Sequence, residues 1–81
     1  MTRVSASADG ANSLLQLGDA IREKRKLLGM SQEALADACG VERSHMGKIE
    51  RGERNVTILN LLRISNALDC PLSELLKMAG L

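Results

Sequence analysis

The sequence predicts an all-α fold of five short helices built around a central helix-turn-helix. Three observations lead there. Apolar residues recur at three- and four-residue steps throughout the chain beyond residue 12, and cap and stop residues divide that run into helix-sized pieces. Two of the pieces, within SQEALADACGVERSHMGKIERG from Ser31 to Gly52, are short, amphipathic and hinged on Cys39-Gly40-Val41.

The 81 residues allow one domain, and the 44% apolar fraction is enough for a compact core. A chain this short buries only about 60 to 65% of its unfolded surface, which favours a stabilising partner. With no Phe, Tyr or Trp, that core consists of Leu, Ile, Val, Met and Ala. The missing aromatics argue against recognition of single-stranded nucleic acid, which relies on stacking platforms. Reading a duplex has no such requirement.

Residues 1–12 are small and polar, contain no apolar run long enough for a secretion signal or membrane span, and are expected to form a flexible N-terminal tail. The domain is expected over residues 13–81. Ser13 with Gln16 three residues on matches a capping box and opens the first helix, whose inner side carries Leu17, Ala20, Ile21, Lys24 and Leu28, and Gly29 ends it. Ser31 caps the second helix, where Leu35, Ala36 and Cys39 make a narrow inner stripe. Small residues at Ala34, Ala36 and Ala38 let another helix cross closely, and Gly40 supplies the tight turn.

The third helix follows. At about 100° per residue, Arg43, Gly47, Arg51, Ser44 and Lys48 share one arc, and His45, Ile49, Met46 and Glu50 the opposite one. Glu42 supplies an acceptor at its start, and Gly52 the left-handed residue at its end. A basic arc free of bulky side chains suits a helix that enters a major groove, which is just wide enough to admit one. Gly47 costs about 1 kcal/mol relative to alanine inside a helix, so it marks either a close approach or a tolerant surface position.

Glu53-Arg54-Asn55-Val56 forms a short polar loop, and Thr57 caps a fourth helix with a broad core face of Ile58, Leu61, Leu62, Ile64, Ala67 and Leu68. Asp69-Cys70 breaks that pattern, and Pro71 fits the first turn of a fifth helix. Leu72, Leu75, Leu76, Met78 and Leu81 exceed what one flank of a small domain buries. Part of this last segment is therefore expected to form a two-fold dimer surface.

From about Leu17 to Leu76 the chain, with GMSQEALADACGVERSHMGKIERGERN and LLRISNALDCPLSELL in order, closely resembles the Cro/C1-type (XRE) helix-turn-helix family of transcriptional regulators. The resemblance implies a compact, five-helix, phage-repressor-like DNA-binding domain that acts as a homodimer on a near-palindromic duplex operator. It implies that Arg25 pairs with Glu50 to orient the recognition helix, over about residues 42–51. It also implies that Gln32, Arg51, Arg54 and Asn55 hold phosphates, and that Arg43, Ser44 and Lys48 face base edges. In length and in ending after the fifth helix the chain also resembles the small controller proteins of restriction-modification genes. It departs from the pattern at Gly47, where a larger polar residue is common, and at Lys48, where many controllers carry glycine.

The formal net charge is only +1, so attraction to DNA depends on where the charges lie. Ile21 to Met30 holds four basic residues against one acidic, and Val41 to Asn55 four against three. Near-neutrality favours the rival expectation of a protein-interaction module, such as an antitoxin-like partner docking through Leu72 to Leu81; the set Gln32, Arg43, Lys48 and Arg54 counts against it. An enzyme is the weakest reading, because no acid-base pair, activated nucleophile or phosphate loop is visible. Cys39 and Cys70 are too few and too far apart for a zinc ribbon or redox pair, and suggest free thiols in a reducing cytoplasm. The lone His45 lacks partners for catalysis or metal binding, so no cofactor, metal or small-molecule effector is expected.

Overall fold

The computed structural model describes residues 10–81. Five helices follow one another, α1 (Ala11–Leu27), α2 (Gln32–Cys39), α3 (Arg43–Glu50), α4 (Ile58–Ala67) and α5 (Leu72–Met78), and the described residues contain no strand. The all-α expectation holds. α3 packs on α1 and α2, α4 packs on α2 and α5, and α5 returns to α1.

Local chemistry sets most of the boundaries. Ser31 Oγ accepts from the Ala34 amide at 3.0 Å, and Thr57 Oγ1 from the Asn60 amide at 3.2 Å, so both expected serine and threonine caps are made. Gly40, with φ at +73°, gives α2 its left-handed end and turns the chain into α3. Pro71 is the N-cap of α5, one residue outside the first turn that was expected to hold it. Glu42 occupies the N-cap of α3 but its side chain makes no cap hydrogen bond. Its contribution is the backbone carbonyl, which accepts from the Met46 amide at 3.0 Å.

The first helix starts earlier than the capping box predicts. The Leu14 amide donates to Gly10 O at 2.8 Å, so Gly10 is the N-cap and Ser13 already lies inside the helix. Gly10 to Asn12 thus belong to α1 and its cap, and residues 1–9 of the expected tail lie outside the described residues. At the other end Leu28 is 45% exposed, because the helix has stopped at Leu27 and the inward position is taken by Arg25.

The core is aliphatic, drawn from every helix: Ile21, Leu35, Met46, Ile49, Ile64, Leu68 and Leu75 are fully buried. Each such side chain contributes about 1.5–3 kcal/mol through burial. Gly18 permits a close crossing of α1 and α3. A Cβ there would lie 2.7 Å from Ile49 O, so α1 meets the last turn of α3 backbone to backbone.

Two expected faces are corrected. On α4 the inner stripe is Leu61, Ile64, Ser65 and Leu68, whereas Ile58 is 62% and Leu62 43% exposed. Ile58, Leu62 and Leu59 step about 60°, 100° and 160° around the helix from Leu61, onto a flank that no described element covers. On α5, Leu75 has no exposed surface and belongs to the core. It is unavailable to a partner. Met78 lies on the α1 side, lining a recess with Gln16 and Glu23, while Leu76 and Leu81 line a separate groove with Ser73 and Lys77. The five leucine and methionine residues expected at a dimer surface therefore do not share one face.

Candidate nucleic-acid interface

Glu50, at the end of α3, is 5% exposed. A buried carboxylate is tolerable only if its oxygens are satisfied. Arg25 Nε donates to Glu50 Oε2 at 2.8 Å and Arg25 Nη2 to Oε1 at 3.1 Å, while Gln32 Nε2 adds a third bond to Oε1 at 3.2 Å. The remaining arm of the guanidinium, Nη1, donates to Met30 O at 2.9 Å. One ion pair therefore joins α1, the α1–α2 turn, the start of α2 and the end of α3. The pairing implied for Arg25 and Glu50 is present, and it fixes the pitch and roll of α3.

This network redirects Gln32. Its side-chain amide points inward to Glu50, and its Oε1 would lie 3.4 Å from a Cβ on Gly47. The backbone amide of Gln32 is the first of α2, one of the donors that a helix N-terminus cannot satisfy internally. Gly47 is likewise corrected: it is buried and not part of an open arc, because Gln32 and Arg51 fold over it, with Arg51 Nη1 3.1 Å from where a Cβ would be. The close approach is made by side chains.

The outward arc of α3 is what remains. Arg43 and Ser44 are exposed and Lys48 is half-buried, whereas Met46, Ile49 and Glu50 point inward. Arg51 follows directly, and Arg54 and Asn55 are exposed in the loop after it. Arg51 Nε donates to Glu53 Oε2 at 2.8 Å, and Nη2 to Oε1 at 3.4 Å. The hydrogen bonds from Arg51 hold the Glu53 carboxyl below its ordinary range, with attraction from Lys48 and Arg54 adding to the effect. The same bonds push the Arg51 guanidinium further up.

Between α1, α2 and α3 lies an open cleft lined by Leu15, Asp19, Arg22, Arg25, Gln32, Glu50 and Arg51. Arg22 is the residue that reading the sequence missed. It is exposed beside the start of α2, three positions before Arg25, and that spacing on one helix is the signal that would have found it. Elsewhere, both thiols are free and buried, and burial pushes Cys39 and Cys70 up, which leaves them poorly reactive. Among the described residues no cluster of His, Cys, Asp and Glu could hold a metal ion, and no helix is long and apolar enough to cross a membrane.

Residues 21–75, from the middle of α1 into α5, match the helix-turn-helix family. The chain belongs to that family. This helix-turn-helix protein is 38% identical over 65 residues to the control protein C.SmaI of Serratia marcescens, covering 80% of this chain and 77% of that one. To the control protein C.BamHI of Bacillus amyloliquefaciens it is 41% identical over 66 residues, covering 80% and 82%. Its fold superposes on the crystal structure of the restriction-modification controller protein C.AhdI from Aeromonas hydrophila with a TM-score of 0.76 and 44% identity, over 78% of this chain and 96% of that one. The DNA-binding domain of the P22 c2 repressor matches with a TM-score of 0.72 and 39% identity over 75% of this chain and 80% of that one. The protein is accordingly a DNA-binding transcription regulator of the Cro/C1 type, and not an enzyme.

Proposed function

We propose that two copies of this chain bind a near-palindromic operator, each laying α3 in a major groove. The observation that carries the reading is the division of α3: one side locked by Met46, Ile49 and the Arg25–Glu50 pair, the other presenting Arg43, Ser44 and Lys48 outward. Arg43 reads guanine through paired hydrogen bonds to O6 and N7, a contact good for about 1 to 3 kcal/mol of discrimination. Ser44 and Lys48 read or hold neighbouring bases. Gln32 fixes the register through its backbone amide at the positive end of α2, since its side chain is engaged by Glu50. Arg51, Arg54 and Asn55 grip phosphates on the other side of α3.

Dimerisation uses Leu72, Leu76 and Leu81, with the exposed flank of Ile58, Leu59 and Leu62 as further apolar surface. Leu75 and Met78 are outside this surface. Two-fold pairing would set the recognition helices about 34 Å apart, matching half-sites one helical turn apart. Two free, buried thiols fit a reducing cytoplasm.

Because control proteins and a restriction-modification controller are among its relatives, we assign this chain the same role: a controller of restriction-modification genes whose occupancy follows its own concentration. A titration of the purified protein against the duplex upstream of its own gene tests the role. Self-control requires binding there that survives excess random duplex; binding no tighter than to random duplex overturns the controller assignment.

A further inference from the structure

We infer that Glu53 is an intramolecular substitute for a DNA phosphate, occupying Arg51 in the free protein and lowering its affinity for any duplex. The inference rests on the duplex-binding reading above. Arg51 offers a planar fork of donors, and carboxylate and phosphate oxygens fit that fork in the same two-bonded way. Glu53 takes both bonds, at 2.8 and 3.4 Å. The pair lies in the open: its side chains are 58% and 53% exposed, on the surface that α3 and the following loop share.

The fold gives Glu53 no other task. Its backbone amide closes the end of α3 by donating to Lys48 O at 2.9 Å, a bond any residue but proline would make. Its carboxylate contacts no core group, yet it stands among Arg51, Lys48 and Arg54, the cations nearest the proposed phosphate path. An acid at this point opposes binding in two ways. A phosphate arriving at Arg51 must displace a carboxylate already bonded there, and the displaced carboxylate must then find a counter-ion of its own. The counter-ion released from DNA is thereby taken up again, so Arg51 adds little to the salt dependence of binding. The consequence is a protein that holds random DNA loosely although four cations flank its recognition helix.

The test is a set of four proteins, wild type, Glu53→Gln, Arg51→Gln and the double variant, titrated against a random-sequence duplex across a salt series. Glu53→Gln should bind about two- to fivefold more tightly at about 0.1 M salt, with a log–log salt slope steeper by about 0.9. In the Arg51→Gln background the same change should give no gain and no change of slope. All four should keep the wild-type melting temperature, since the pair is exposed. Unchanged affinity on Glu53→Gln overturns the inference, and so does an equal gain in both backgrounds, which would mean that Glu53 acts by general repulsion. If the wild type itself fails to bind duplex, the parent reading falls and this inference with it. That result is separable from tight wild-type binding that Glu53→Gln leaves unaltered.

Discussion

Glu50 and Gly47, three residues apart on α3, show opposite relations between stability and binding. Glu50 holds α3 against α1 and α2 through three hydrogen bonds. Glu50→Ala would leave the 9% exposed Arg25 with no carboxylate beside it, a loss of about 3–5 kcal/mol for a broken buried pair. Urea denaturation measures this directly; a loss below about 1 kcal/mol, as for a surface pair, would contradict the orienting role of the network. Gly47→Ala should go the other way on stability. Alanine gains up to about 1 kcal/mol in a helix interior, and the atoms a Cβ would meet, Arg51 Nη1 and Gln32 Oε1, are ends of flexible side chains that can shift. Arg51 is proposed to grip a phosphate, and the Gln32 side chain lies beside the backbone amide proposed to fix the docking register, so displacing both disturbs the contact surface. The variant should therefore melt higher and bind duplex more weakly, and weaker binding without higher stability would show that the cover over Gly47 is structural. Neither role was fully legible in the sequence. The Arg25–Glu50 pair followed from the family resemblance, whereas the burial of Gly47 depends on Gln32, which is local to it only after folding.

At the scale of elements, capping chemistry was the legible part. Ser31 and Thr57 cap where their side chains predict, and Gly40 and Gly52 turn the chain where positive φ is needed, at +73° and +74°. Ser13 misled because an available cap does not stop a helix from continuing one turn upstream. Faces were less legible than ends. An apolar arc on α4 or α5 is wider than the part a neighbouring helix covers, and only the packing direction decides that Leu61 and Leu75 are core while Ile58, Leu62 and Leu81 are exposed. The distinction yields a paired prediction. Leu76→Gln combined with Leu81→Glu should give monomers by sedimentation with the helical circular dichroism retained, whereas Leu75→Glu should unfold the protein. A dimer undisturbed by the first pair would remove the α5 surface and turn attention to the flank of Ile58, Leu59 and Leu62.

For the whole molecule, a net charge of +1 looks too small for a DNA-binding protein until the charges are placed. Arg25 and Glu50 cancel in the interior, and Arg51 and Glu53 cancel at the surface, leaving Arg43, Lys48 and Arg54 against the exposed Glu42 beside the recognition helix. Attraction to DNA is local and modest, so selectivity must come from base contacts and from two-fold symmetry rather than from a broad positive field. The five-helix order, the helix-turn-helix and its basic arc were all readable from the sequence, because they depend on neighbours a few residues apart. The cleft that unites Arg22, Gln32, Glu50 and Arg51 was not, because three helices contribute to it. The central claim is that Arg43, Ser44 and Lys48 read a duplex sequence twice, once per protomer. Selection of bound fragments from a pool of random duplexes tests it most directly. The account predicts enrichment of a near-palindrome with half-sites about one turn apart, and its loss of preference at one symmetric position when Arg43→Ala is used. A pool that emerges without an enriched sequence, or with a single unsymmetrical one, would contradict it.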